Sequence, residues 1–220
     1  MPLRFVFALL AIAIGVVGLG LNMSVIAGVM GPPENRPFVS FLVYYWSYLT
    51  NLSNSVLLLI YAADLSGVRW LAWLRHPVFK AGMAGIIMLV MFFYHFMLAP
   101  TLPGLPQAIE VSNVLLHYVT PLLFLVWWAA FSPHGTLRYR DVPLMLAPGL
   151  AYVLYIELRG PIAGEYPYTI LDPGFAPPGG TAAGFAGVAI GVGVLVLLVA
   201  IFDLLLVAID GLIARRRRPA

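Results

Sequence analysis

Cysteine is absent from the chain, which removes disulfides, thiolate nucleophiles and Cys-ligated metal or haem attachment and leaves the redox compartment unmarked. Charge is scarce too: 10% of the residues are charged, against roughly 25% in an ordinary soluble domain. With 62% hydrophobic residues and a mean hydropathy of +0.96, that scarcity excludes a soluble globular protein. The 12 Lys and Arg exceed the 9 Asp and Glu by a net charge of only +3, and four of the cations stand together at Arg215 to Arg218. Such a distribution offers no basic surface for nucleic acid, and we read the arginine run as an anchor to anionic lipid.

What the 220 residues do contain is apolar stretches of spanning length, about 20 residues each. Charges, prolines and glycines bound six of them, predicting an all-α polytopic bundle that forms one membrane domain over residues 1–220, with spans near 5–28, 38–63, 78–99, 112–131, 142–158 and 183–207. The fifth is short and contains Pro143 and Pro148. The first exceeds the apolar core of a signal peptide, about 7 to 15 residues, and reads as an uncleaved helix. Cytoplasmic loops carry the Lys/Arg excess. With both termini cytoplasmic, Arg4, Arg69, Arg75, Lys80, Arg138, Arg140 and Arg215 to Arg218 fall inside, ten cations against Arg36 and Arg159 outside. That asymmetry predicts an even number of spans.

Polar side chains inside a bilayer are costly and tend to face the bundle interior, where they mark sites or bond between helices. In the second span Ser47, Thr50, Asn51 and Asn54 are offset by 3, 4 and 7 positions, predicting one shared helix face. In the fourth, Asn113, His117 and Thr120 do the same, and Pro121 has no N–H for the His117 carbonyl, predicting a kink and a free acceptor at His117. His95 closes the third span as a pocket group or an interfacial one. Glu157 and Arg159 close the fifth, read as an ion pair at the rim, with an acid role for Glu157 as the alternative. On the predicted topology nearly all of these lie in the outer half of the membrane, whereas Asp64, His76, His134, Asp203 and Asp210 lie toward the inner side. The pattern predicts a polar pocket that opens outward, with Ser47, His95, Thr120, Glu157 and Arg159 lending it polarity.

A threonine hydroxyl becomes a nucleophile when a neighbouring base takes its proton, and neutral imidazole is the usual base near pH 7. Thr50 and His117 supply that pair. Counted at 1.5 Å per residue, Thr50 lies roughly 15–18 Å below the outer end of its span and His117 roughly 8–12 Å below its own. Helix tilt and the Pro121 kink must therefore bring them level. Asn51, Asn54 and Asn113 are the candidates to orient the hydroxyl or to hold an acyl oxygen. No carboxylate stands where it would orient the imidazole. Other chemistries compete for the same residues: axial haem ligation by His95 and His117, zinc held by His95, His117 and Glu157, and a transporter or lipid-binding protein that uses the pocket without chemistry. Multi-haem six-span cytochromes need more intramembrane histidines than this chain has, and no metal-ligand spacing is present, so we expect neither a cofactor nor a metal.

The strings Tyr48-Leu49-Thr50-Asn51-Leu52-Ser53-Asn54 and Leu116-His117-Tyr118-Val119-Thr120-Pro121-Leu122-Leu123-Phe124, with Arg159-Gly160, Tyr166-Pro167-Tyr168 and Leu171-Asp172, resemble an uncharacterised family of bacterial six-span membrane proteins over most of the chain. The Thr-Asn element and the His-containing fourth span are more remotely similar to the eukaryotic androgen-induced and androgen-dependent membrane proteins. Those are multi-span threonine hydrolases of fatty acid esters of hydroxy fatty acids. The resemblance implies an intramembrane ester hydrolase with Thr50 as nucleophile and His117 as the catalytic histidine, acting on a lipid-like ester partner among membrane lipids. The loop of about 23 residues from Arg159 to Thr181, with Tyr166-Pro167-Tyr168 and Pro177-Pro178-Gly179-Gly180, suits either an ordered cover over the pocket or an ordinary connection.

Overall fold

Backbone N–H and C=O groups within a bilayer have no water to bond, so a chain of this composition satisfies them in helices. The computed structural model describes residues 2–29, 37–102, 104–177 and 180–217, and among them there are helices and turns and no strand. Arg36, Pro178, Gly179 and Arg218, each used in the sequence reading, lie outside the described residues. The α-helices are α1 (Leu3–Val29), α2 (Phe38–Ser47), α3 (Leu49–Ser66), α4 (Pro77–Phe93), α5 (Gln107–Val114), α6 (Thr120–Phe131), α7 (Val142–Met145), α8 (Ala147–Ala163) and α9 (Gly184–Arg216).

Among the described residues, five stretches are long and apolar enough to cross a membrane: Leu3–Ala27, Pro77–Thr101, Gln107–Phe131, Tyr139–Ala163 and Gly184–Arg216. The chain is an integral membrane protein. The second predicted span is not one helix, because it breaks at Tyr48, whose φ of −78° and ψ of 125° are extended. The fifth predicted span, within the stretch Tyr139–Ala163, accommodates Pro143 and Pro148: each sits in the first turn of a helix, α7 and α8, where no N–H is required. At 33 residues, α9 is about 50 Å long, so it outruns a hydrocarbon core of about 30 Å. Its end is tied down where the Arg217 guanidinium bonds the Ala129 and Ala130 carbonyls of α6, at 2.9 and 3.2 Å.

Helix α4 runs through the middle of the bundle, buried from Lys80 to Ile87 and again at Leu89 and Val90. Its small residues let neighbours approach closely, the usual device between membrane helices. A Cβ at Gly82 would lie 2.4 Å from the Met145 carbonyl of α7, and one at Gly85 would lie only 2.1 Å from the Asp203 carboxylate of α9. Toward the C-terminal end of α3, Asp64 accepts from Lys80 Nζ at 2.6 and 2.7 Å and from the Trp127 indole at 3.1 Å, with Arg4 at 3.7 Å. Asp210 of α9 pins the loop after α6 by bonding His134 Nδ1 at 2.9 Å and the Gly135 and Leu137 amides at 2.9 and 3.1 Å.

Candidate active site

The break at Tyr48 leaves backbone groups that the flanking helices cannot serve, and side chains repair them. Asn51 Nδ2 donates to the Tyr45 carbonyl at 3.0 Å, the Tyr152 hydroxyl donates to the Ser47 carbonyl at 2.8 Å, and the Leu49 amide donates to the Tyr168 hydroxyl at 3.1 Å. The break also puts Ser47 on α2, off the face shared by Thr50 and Asn54. The Ser47 hydroxyl donates to its own Val43 carbonyl at 2.6 Å, with the Tyr155 hydroxyl at 3.2 Å. Thr50 thus lies in the first turn of α3, at the break.

His117 lies on a second irregularity. Between α5 and α6, Leu115–Val119 form a π turn in which the Thr120 amide bonds the Leu115 carbonyl, five residues back. The Leu116 carbonyl thereby loses Thr120, and Pro121, next in line, has no N–H to replace it. Asn54 Nδ2 fills the vacancy at 3.1 Å, while also bonding the Thr50 carbonyl at 2.8 Å. The Thr120 hydroxyl, 3.1 Å from the Leu115 carbonyl, donates to Asn54 Oδ1. The Leu116 carbonyl, unserved by Pro121, is thus capped from α3. Asn54 is fully spent on this clamp, so it is no donor for an acyl oxygen.

The clamp sets Thr50 against His117. Thr50 Oγ1 lies 3.2 Å from Nε2, and His117 Nδ1 lies 3.0 Å from the Asn113 carbonyl. A carbonyl only accepts, so Nδ1 carries the hydrogen and Nε2 of the neutral ring is left with its lone pair toward the hydroxyl. Asn113 thus acts through its backbone, in the orienting place a carboxylate fills in other triads. The ring is further fixed by Tyr94, stacked on it with centroids 3.9 Å apart at 16°. His117 is 7% exposed.

Thr50 and His117 open onto a cavity of about 100 Å3 between α4, α8, α9 and the loop after α8. Its walls include Ile86, Val90, Leu150, Val153, Leu195 and Val199, and the further polar side chains at its lining are Tyr94, Tyr152 and Tyr168. An apolar cavity with few convergent polar groups fits a small, mostly apolar ligand.

The other sequence-predicted residues lie elsewhere. His95 is exposed and bonds the Tyr118 hydroxyl at 3.0 Å through Nδ1, away from the cavity lining. Thr120 belongs to the Asn54 clamp. Arg159 pairs with Glu165 at 2.5 Å, not with Glu157, whose carboxylate oxygens have no hydrogen-bond partner among the described residues. Both His117 ring nitrogens have hydrogen-bond partners, Thr50 Oγ1 and the Asn113 carbonyl. The described residues contain no group of three His, Asp or Glu able to hold a metal ion. The three cavity tyrosines were missed as site residues. For Tyr168 a signal existed in the Tyr166-Pro167-Tyr168 string; Tyr94 and Tyr152 look like any aromatic in an apolar span.

Comparison of the chain with protein-family models, curated proteins and solved structures finds no match.

Proposed function

We propose that this protein is an intramembrane hydrolase of lipid-like carboxylic esters, with Thr50 as nucleophile and His117 as general base and acid. One observation carries the reading: Thr50 Oγ1 lies 3.2 Å from His117 Nε2 while the Asn113 carbonyl holds the opposite nitrogen in its N–H form. In the first half-reaction Oγ1 bonds to the ester carbonyl carbon as its proton passes to Nε2. The tetrahedral intermediate then expels the alkoxide, which takes that proton and leaves as the alcohol. In the second half, water gives a proton to Nε2 and attacks the threonyl ester, releasing the fatty acid and restoring Thr50. The cavity walls accommodate apolar chain next to the ester. The fatty acid esters of hydroxy fatty acids implied by the sequence resemblance are a substrate of this kind.

The same reading counts α2 and α3 together as one broken span, giving six, with both termini cytoplasmic in a bacterial inner membrane. Thr50 and His117 then lie in the outer half of the bundle. The test is hydrolysis of a chromogenic medium-chain acyl ester by purified wild type, Thr50→Ala and His117→Ala, with a serine/threonine-hydrolase probe and a melting curve for each. Turnover and labelling in the wild type, both lost in folded Thr50→Ala, are the expected result. A well-folded wild type with neither overturns the reading and recasts the pocket as a ligand-binding or transport site.

A further inference from the structure

Tyr168 is contributed by the loop after α8, yet its hydroxyl reaches the first turn of α3. The Leu49 amide, one residue before Thr50, donates to it at 3.1 Å. The ring sits edge-on to Tyr48 with centroids 5.8 Å apart, and it lines the cavity alongside Thr50 and His117. Because the Tyr168 oxygen accepts from Leu49, its own hydrogen is left to donate. The Asn113 carbonyl takes His117 Nδ1–H, leaving Nε2 to accept the Thr50 proton.

Resting on the reading of Thr50 and His117 as an esterase pair, we propose that Tyr168 is a catalytic residue of that site, donating its hydroxyl hydrogen to the oxyanion formed when Thr50 attacks the ester carbonyl. A Thr50 Oγ1 lone pair becomes the new Oγ1–C bond. The C=O π pair moves to the carbonyl oxygen, the Thr50 proton goes to Nε2, and the Tyr168 O–H donates to the oxygen that has taken the charge. Tyr168 keeps its proton throughout. Burial pushes this hydroxyl above the ordinary tyrosine range, so it is a donor at neutral pH. The Leu49 amide keeps the hydroxyl oxygen in place while the donor turns, the preorganisation such stabilisation needs.

The experiment compares wild type, Thr50→Ala and Tyr168→Phe for kcat and KM on the medium-chain ester, for affinity toward an alkyl boronic acid that forms a tetrahedral adduct, and for melting temperature. Removing one such donor lowers kcat by about 10²–10³-fold. The expected result is that loss in Tyr168→Phe with KM nearly unchanged, a similar loss of boronate affinity, and unchanged binding of the free fatty acid. A purely structural tyrosine would instead lower the melting temperature and weaken fatty acid and boronate binding together. Wild-type kcat and boronate affinity in Tyr168→Phe, beside an inactive Thr50→Ala, overturn the role of Tyr168 and leave the esterase reading standing. Absence of turnover in the wild type, or full turnover in Thr50→Ala, overturns both. Should Tyr168→Phe fail to fold, 3,5-difluorotyrosine at position 168, which keeps the hydroxyl and strengthens it as a donor, decides the matter. A changed kcat at constant KM supports the role, and an unchanged kcat refutes it.

Discussion

Asn54→Ala separates the helix of Thr50 from the π turn of His117. The substitution removes the bond to the Leu116 carbonyl at 3.1 Å and the bond accepted from Thr120, both of which cross from α3 to the π turn. Leu116 then has no backbone donor either, since Thr120 is spent on Leu115 and Pro121 has none. A buried acceptor left unpaired costs about 1–3 kcal/mol, and interhelical hydrogen bonds in membrane proteins average about 0.6 kcal/mol, with a maximum near 1.7. Thr120 Oγ1, 3.5 Å from the Leu116 carbonyl, can turn partly toward it, which keeps the loss near 2 kcal/mol, roughly a 30-fold change in the unfolding equilibrium. Denaturant unfolding in mild detergent measures it. A cycle with Thr120→Val isolates the Asn54–Thr120 term, expected at about 0.6–1.7 kcal/mol. Turnover falls further than stability, because displacing reacting groups by about 1 Å costs on the order of 10²-fold. Wild-type stability in Asn54→Ala, with strict additivity against Thr120→Val, would refute the clamp.

Other substitutions test the packing that supports the site. Gly85→Ala drives a Cβ to 2.1 Å from Asp203 Oδ1; it should cost about 1–3 kcal/mol by overpacking and be rescued in Gly85→Ala/Asp203→Ala, read as a non-additive pair of melting curves. Gly82→Ala meets backbone instead, the Met145 carbonyl at 2.4 Å, so the same cycle with Met145→Ala should show no rescue. Lys80→Met strips Asp64 of its closest cation and should cost about 3 kcal/mol, the low end for breaking a buried pair, because Trp127 and Arg4 remain beside it. Asp210→Ala frees the three groups it binds, and limited proteolysis should then cut near residues 134–137 at least tenfold faster, with wild-type protection as the refuting outcome.

Much of the bundle was legible because bilayer thickness and composition dictate it: the apolar runs at 5–28, 78–99, 112–131, 142–158 and 183–207 each correspond to a long apolar helical stretch. The pairing of Thr50 with His117 was readable as chemistry, but their contact was not. The break at Tyr48 has no proline or glycine to announce it; it is held by Tyr152 and Tyr168, more than a hundred positions away in sequence, and no local rule reports such partners. The estimated depth difference between Thr50 and His117 assumed continuous α-helical rise, and both residues sit where that rise is interrupted. Glu157 and Arg159 stand two positions apart on α8, a spacing that turns them to different faces, and the chain returns Glu165 to Arg159 after α8 ends.

The two interruptions share a logic that accounts for most of the buried polar residues. Irregular backbone is tolerated at membrane depth only where protein groups replace the lost bonds or where it lines a cavity. The break in α3 uses Asn51, Tyr152 and Tyr168 for that repair, and the π turn uses Asn54 and Thr120. Thr50 and His117 stand apart from this repair: the Thr50 hydroxyl is bonded to the imidazole across the helix interface, and the imidazole is backed by a carbonyl that fixes its tautomer. A cluster of intramembrane Asn, Thr and Tyr is therefore mostly the scaffolding that a broken helix and a π turn require. Thr50 and His117 are the pair that the scaffolding holds at the cavity wall, and Tyr168 is a repair residue that lines the same cavity.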